Sequence, residues 1–504
     1  MSEWERSPDL QQATRPTRAR RTDLHPQRRR RKAVCMTGVI ELPYWVALLG
    51  GIAAAIAILD RVLGPSFKWL MRKRLHTAVE RLNERLDTRI QPFKLIQRKE
   101  LVDRLVYDPE VVQAADKHVD ETGMPHDLAM KQVRAYAREI VPSFSAHMYF
   151  LIGAKVSKWI SRMLYRVRLG ALDEKRLVEV DGEATVVFVM NHKSNIDYLL
   201  VTYLASQSSA LSYAVGEWAQ VWPLNQVIRA MGAYFIRRRS RDELYRTVLR
   251  RYVQLATEGG VAQAIFPEGG LSRNGALGPP KLGLISYIVA GHNDSGRDVV
   301  FVPVGLNYDR VLEDRILMRA EQGRDGKARF KVSILTSLGF VFGVVFGRIT
   351  GAVNRFGYAC VSFGAPLSLK EFLAEARGED EVEALGRELA RRIGVVVPIL
   401  PTPLVATVLQ GAGPLTLAEI RAATEALSRS LVDAGGHIHV PRADADYAVE
   451  VGLRMLTRRR IVTKSGDVYH VTEGEEGMLA FYANSIAHLP RSEAMSPVEA
   501  EVAS

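Results

Sequence analysis

The chain has 504 residues and carries 68 Lys and Arg against 56 Asp and Glu, a net charge of +12. Hydrophobic residues make up 47% and charged residues 25%, which excludes a mainly disordered chain or a collagen-like fibre and suggests about three domain-sized units. Two cysteines, Cys35 and Cys360, cannot build a disulfide framework or a Cys-rich zinc site and fit a reducing compartment.

The first element is a basic arm. Residues 1–33 hold ten Lys or Arg and four acids, and Arg28–Lys32 is an unbroken cationic run. So few apolar residues surround it that residues 1–35 are expected to stay disordered. No aromatic platform or binding motif follows, so anionic lipid is the expected contact rather than nucleic acid. Met36 is an alternative start, in which case the arm has no function. Leu42–Leu59 then contains no charge, with Tyr44 and Trp45 at one end and Arg61, Lys68, Arg72, Lys73 and Arg74 beyond the other. As a helix it would rise about 27 Å, close to a hydrocarbon core of about 30 Å. Boundary aromatics and flanking cations suit a membrane anchor. Gly50, Gly51 and several alanines leave a buried or interfacial helix as the alternative. Residues 36–165 are therefore expected to hold the anchor and a helical region, in which Leu75, Val79, Leu82 and Leu86 recur at helical spacing.

Residues 166–375 read as an α/β domain. Val186–Met190, Ala264–Phe266 and Val299–Val304 are short apolar runs suited to strands buried on both faces. Helical stretches such as Arg241–Glu258 separate them, the alternation of a mostly parallel sheet flanked by helices. Ligands in such folds sit at the C-terminal ends of the strands. Val332–Gly347 is a second uncharged run, with Gly339, Gly343, Gly347 and Gly351 at every fourth position. It reads as a helix that another backbone can approach closely, or as a helix buried on the sheet. Residues 376–504 form a mainly helical C-terminal region with a Pro-rich break at Pro398–Pro403 and a hairpin over Arg460–Val471.

The chemistry begins after the first buried strand, in Met190-Asn191-His192-Lys193-Ser194-Asn195-Ile196-Asp197. A histidine and an aspartate five places apart sit about 140° apart on an ideal helix and would meet poorly there. With His192 in a strand-end turn and Asp197 in the first turn of the next helix, the carboxylate can hold one imidazole nitrogen. The other is then free to take a proton. His439 and Asp444 repeat the spacing, and that copy reads as chance. Three further segments follow, each near a strand: Gly232-Ala233-Tyr234-Phe235-Ile236-Arg237-Arg238-Arg239, Phe266-Pro267-Glu268-Gly269-Gly270-Leu271-Ser272-Arg273, and Val302-Pro303-Val304-Gly305.

In order and spacing these four segments resemble the glycerolipid acyltransferase family, whose His-x4-Asp block precedes three others. Tyr198-Leu199-Leu200, Gly269-Gly270, Pro280-Lys281-Leu282-Gly283 and the C-terminal Phe481–Leu489 resemble its glycerol-3-phosphate acyltransferase branch, which also includes dihydroxyacetone-phosphate acyltransferases. The resemblance implies that family's α/β fold and direct acyl transfer from acyl-CoA or acyl-carrier protein to the sn-1 hydroxyl of glycerol 3-phosphate. No cofactor or metal beyond these co-substrates is implied. His192 would be the general base and Asp197 its orienting partner, without the nucleophilic serine of a hydrolase triad. No Gly-x-Ser-x-Gly is present and neither cysteine lies near the blocks, so no acyl-enzyme is expected. Arg238, with Arg237 and Arg239 beside it, would grip the acceptor phosphate in fork geometry. On an extended segment Arg237 and Arg239 share a side and Arg238 takes the other, so which one binds stays open. Glu268 and Gly269 would bind glycerol hydroxyls or order their loop, and Pro303 would shape the acyl-side wall. Many family members carry arginine where this chain has Leu271; Arg273 could supply that charge, with Lys193 and Lys281 as further cations. The implied setting is a phospholipid membrane, with the active site facing the cytoplasm. The alternatives are lysophosphatidate or dihydroxyacetone phosphate as acceptor, or, from another class, a membrane-tethered nucleic-acid binder.

Overall fold

A computed structural model describes residues 91–490, apart from 173–179, 207–209, 217–218, 221, 223, 239, 377–379, 441–443 and most of 322–354. The basic arm, the Leu42–Leu59 run, the Leu75–Leu86 periodicity, Arg239 and nearly all of the glycine-spaced run lie outside these residues.

After a short helical turn at Pro92–Leu95 come three amphipathic helices: α1 (Arg98–Val106), α2 (Pro109–Thr122) and α3 (His126–Ile140). Asp108 starts α2 by accepting the Glu110 N–H, and Gly123 ends it in the left-handed region that glycine tolerates. A π-helical turn, Met148–Gly153, continues into α4 (Ala154–Leu164). Strands and helices then alternate: β1 (Arg166–Leu172), β2 (Thr185–Met190), α5 (Asp197–Ala205), β3 (Ser212–Gly216), α6 (Leu224–Ala230), β4 (Tyr234–Ile236), α7 (Glu243–Glu258), β5 (Gln263–Ile265), α8 (Gly283–Ser295), β6 (Val299–Tyr308), α9 (Asp314–Glu321), β7 (Tyr358–Phe363) and β8 (Leu367–Ser368).

The strands form one sheet in the order β1-β7-β6-β2-β5-β3-β4, with β8 added beside β6. From β6 to β4 every neighbour is parallel; β7 and β8 run antiparallel to β6, and β1 parallel to β7. The sheet is therefore α/β and mostly parallel, with helices on both sides, as the alternating pattern predicts. Strand β2 shows why its run is apolar throughout. Val187 and Val189 pack with residues of α7, α8 and the N-terminal helices, while Met190, with Val186 and Phe188, packs on the other face. A strand buried on both faces is apolar along its length, and its one polar residue, Thr185, is satisfied by donating its hydroxyl to the Thr257 carbonyl at 2.7 Å.

Strand β6 runs to Tyr308, beyond the Val299–Val304 expected from hydrophobicity, because β7 pairs with it from Val304 to Tyr308. Asn307 is a polar strand residue held by side-chain contacts, which the apolar pattern does not reveal. The C-terminal region adds α10 (Glu381–Val396), α11 (Pro401–Leu409), α12 (Leu417–Asp433), α13 (Ala445–Arg458) and α14 (Glu476–Ala483). The expected break at Pro398–Pro403 is half a helix start: Pro401 stands in the first turn of α11, where a missing N–H costs nothing. Strands β9 (Leu415–Thr416), β10 (Val462–Ser465) and β11 (Val468–Val471) make a small antiparallel sheet, the last two as the expected hairpin. Val405, Leu453, Met478 and Phe481 share one apolar core with sheet residues Val304 and Val361, so these C-terminal helices close over one face of the sheet.

Candidate active site

Three of the four sequence blocks lie at the C-terminal ends of parallel strands, and the fourth, Val302–Gly305, lies within β6 alongside β2. His192 follows β2, Glu268 follows β5 beside it, Arg237 and Arg238 follow β4, and Tyr308 ends β6. Where β2 stops, Asn191 takes over from strand pairing. Its amide donates to the Leu306 carbonyl at 2.9 Å and accepts the Leu306 N–H at 2.7 Å. This clamp fixes where the chain turns.

His192 is 1% exposed and Asp197 fully buried, and Nδ1 of the imidazole lies 2.9 Å from Asp197 Oδ2. The same oxygen accepts the backbone N–H groups of Lys193 (2.8 Å) and Ser194 (3.0 Å), and Oδ1 accepts the Tyr308 hydroxyl at 2.5 Å. With every contact around the carboxylate a donor, the imidazole proton sits on Nδ1 and the Nε2 lone pair is left for chemistry. Among the described residues no side chain bonds Nε2. The ring stacks on Phe266 at 4.1 Å and meets the edge of Tyr198 at 5.5 Å. Burial holds its pKa below the usual imidazole value, Asp197 pulls the other way, and the Arg238 cation adds to the lowering. The lowering favours the neutral, proton-accepting form of the ring.

Glu268 orders the surrounding loop. Oε1 accepts the His192 N–H at 3.0 Å and Oε2 the Gly278 N–H at 3.1 Å, while the Ser272 N–H returns to the His192 carbonyl at 2.9 Å. Burial raises its pKa, offset in part by these two donors. Gly269 has φ +66°, so the turn favours glycine, and the Lys281 side chain lies over it. A second such place is Gly275 (φ +84°), where a Cβ would lie 1.8 Å from the Phe481 carbonyl oxygen. The Asn484 amide donates to the Asn274 carbonyl at 3.0 Å. The Phe481–Leu489 segment is thus packed directly on the active-site loop.

The arginines divide. Arg237 makes a two-pronged ion pair with Glu139 of α3, at 2.9 and 2.5 Å, and lies over the Tyr136 and Tyr245 rings. Arg238 lies on the other side, beside Tyr198 and near Gly270, where its charge acts on His192. Lys193 is buried, its ammonium donates to the Gly275 carbonyl, and burial lowers its pKa to about 8. It braces the loop. Arg273 is exposed, and Leu271 packs against the apolar core. Pro303 is buried in β6 opposite Val189, its carbonyl accepting the Gly364 N–H at 2.8 Å.

Two residues at the site have no sequence signal of their own. Tyr308 reaches Asp197 from the next strand. Glu313 accepts the Ser194 hydroxyl at 2.7 Å, the Asn195 side-chain amide at 3.1 Å and the Asn195 N–H at 3.3 Å. Burial pushes the Glu313 pKa up to about 7. Cys360, in β7, is a buried thiol pushed up to about 12, outside the range of a reactive thiolate at neutral pH.

Residues 172–307 match the acyltransferase family model, and residues 342–496 match the model for the glycerol-3-phosphate acyltransferase C-terminal region. A glycerol-3-phosphate acyltransferase of Aeromonas hydrophila is 28% identical over 421 residues, covering 79% of this chain and 50% of the relative. One of Pseudomonas entomophila is 27% identical over 419 residues, covering 78% and 49%. The chain thus spans about half the length of the relatives it matches. The crystal structure of the 1-acyl-sn-glycerophosphate (LPA) acyltransferase from Thermotoga maritima is 17% identical with a TM-score of 0.31, covering 59% of this chain and 95% of that one, a likeness too slight to argue from.

Proposed function

We propose, from its similarity to both family models and to glycerol-3-phosphate acyltransferases 27–28% identical to it, that the chain transfers an acyl group from a thioester to the sn-1 hydroxyl of glycerol 3-phosphate. The observation that carries this reading is the His192–Asp197 pair at the end of β2, with Nε2 unbonded among the described residues and burial favouring the neutral ring. An alcohol of pKa near 14 attacks poorly at neutral pH, so a positioned base is worth roughly 10²–10⁴-fold. His192 Nε2 takes the hydroxyl proton as the oxygen attacks the thioester carbonyl. The imidazolium that forms is stabilised by Asp197. Collapse of the tetrahedral intermediate breaks the C–S bond, and the proton passes from His192 to the departing thiolate. Lysophosphatidate and free thiol leave, and no acyl-enzyme forms.

Arg238 is the cation that faces the base, so it is assigned to the acceptor phosphate. Arg237 is already spent on Glu139, and Lys193 on Gly275. Glu268 and Gly269 act by holding the loop against His192, and Pro303 by shaping the sheet beneath the site. Arg239 and Arg273 remain candidates for a second phosphate contact. The donor is acyl-CoA or acyl-carrier protein, and the work is done at a phospholipid membrane on its cytoplasmic side, held there by the Leu42–Leu59 run. No described helix is long and apolar enough to cross a bilayer.

The test is an acceptor panel. Purified full chain is given a C16 or C18 thioester on each carrier, with glycerol 3-phosphate, dihydroxyacetone phosphate or lysophosphatidate, and free thiol is measured. Release with glycerol 3-phosphate at the highest kcat/KM is expected. Release with none of the three ends the acyltransferase reading, and preference for another acceptor reassigns the substrate.

A further inference from the structure

The segment from Met148 to Leu164 presents an apolar face that no described part of the protein covers. Its inner side carries Ser157, Ser161 and Leu164, all buried. Its outer side carries Leu151, Ile152, Val156 and Trp159, which are 44, 47, 44 and 53% exposed. On a helix, positions 152, 156, 159 and 163 fall within one narrow arc, so Ile152, Val156, Trp159 and the half-buried Met163 make a continuous stripe. Single exposed apolar residues are ordinary, but a stripe of this kind is a docking surface. Val227 of α6 is exposed as well, and α6 is tied to the residues just before this segment, where the Ser145 N–H donates to the Ala230 carbonyl at 2.9 Å.

Charge says what the surface meets. Residues 140–172 contain no Asp or Glu, and Lys155, Lys158 and Arg162 line one edge of the stripe. An apolar stripe with a cationic edge and a tryptophan matches the requirements of a bilayer interface: acyl chains below, anionic headgroups at the edge, and indole between them. A protein partner or second copy would have to bring acids to meet those cations, and this segment offers none to its own twin.

We propose that the Met148–Leu164 face lies in the plane of an anionic bilayer, with Ile152, Val156 and Trp159 among the upper acyl chains and Lys155, Lys158 and Arg162 at the phosphate level. The proposal rests on the reading that the protein works at a membrane, and adds a contact separate from the Leu42–Leu59 run. It also sets the catalytic turn relative to the lipid. Helix α4 packs on α5, where Lys158 and Arg162 lie 5.8 and 5.9 Å from the Tyr203 ring, and α5 begins at Asp197. An amphiphilic product would then leave His192 one helix layer from the surface that receives it.

The experiment uses full chain in a Cys35→Ser background, where Cys360 is buried, with Ile152→Cys carrying an environment-sensitive nitrobenzoxadiazole label. A control label goes on Asp467→Cys in the exposed hairpin. Vesicles of phosphatidylglycerol and phosphatidylcholine in equal parts should shift the Ile152 label to shorter wavelength, and brominated acyl chains should quench it. The control label should not move, and vesicles of phosphatidylcholine alone should give a smaller shift. Sedimentation with the vesicles while the Ile152 label stays aqueous overturns the proposal and leaves membrane attachment standing. A label already in an apolar setting without vesicles also overturns it, since residues 1–90 or a second copy then cover the face. Failure to sediment at all removes the membrane reading itself.

Discussion

His192 and His439 are each followed five residues later by aspartate, yet the two copies do different work. In the first, the imidazole and carboxylate meet at 2.9 Å in full burial, at the end of a central strand. In the second, His439 is half-buried and its backbone N–H joins Ile399, while Asp444 spends its carboxylate on the Asp446 and Tyr447 N–H groups that open α13. No hydrogen bond joins that pair. Spacing makes a contact possible; a strand end, a helix start and a ring of donors make it happen.

The comparison breaks hardest on the histidines. His192→Ala should lower kcat by roughly 10⁴-fold, the upper range for loss of a positioned base, while His439→Ala should leave it unchanged, as read by thiol release. Equal activity of the two variants would remove the catalytic assignment. Asp197→Asn comes next. The oxygen facing Nδ1 also accepts the Lys193 and Ser194 N–H groups, so the amide keeps its oxygen there and turns its NH2 to Tyr308. What is lost is the negative charge that stabilises the imidazolium, and kcat should fall by roughly 10³-fold. Circular dichroism should show the fold retained. Tyr308→Phe tests the ring of donors around the carboxylate. It strips one donor from a buried oxygen, with an expected stability cost of about 1–3 kcal/mol by urea titration and a far smaller loss of turnover than Asp197→Asn. Asp444→Ala should cost about 1 kcal/mol as a lost helix cap and leave turnover unaltered.

The smallest expected effect is a shift in pH dependence. A base acts deprotonated, and the folded His192 pKa lies below 6.5 because burial outweighs the pull of Asp197. The acid limb of kcat/KM should therefore fall below pH 6.5. Arg238→Gln removes a cation that lowers this pKa, so the limb should move to higher pH, alongside a raised KM for glycerol 3-phosphate. A limb that stays put with KM raised would keep the phosphate role and discard the electrostatic one.

The sheet was legible because its signal is local. Val186–Met190 had to be a strand, since five apolar residues ending in an Asn-His turn can be satisfied only by burial on both faces, and its observed span, Thr185–Met190, differs by one residue. The far half of β6 was not, because Gly305 and Asn307 interrupt the apolar run and only pairing with β7 makes them a strand. The candidate catalytic pair was legible from four blocks in order. The division of the arginines was half legible. Extended geometry put Arg237 and Arg238 on opposite sides, and only Glu139, about a hundred residues earlier in α3, decides which side is already occupied.

The amino-acid order thus determined the strands and helices, the turn that carries His192 and the position of Asp197 in the first turn of the next helix. These follow from periodicities of two and 3.6 residues and from short-range sterics, which act over a few neighbours. Tertiary structure decided what each polar group spends its bonds on. Tyr308 goes to Asp197, Glu313 to Ser194 and Asn195, Lys193 to Gly275, and Phe481 closes over Gly275. These partners lie between 82 and 206 positions apart in the chain. A buried donor or acceptor must find a mate wherever packing provides one, and no local pattern in the sequence records which mate that is.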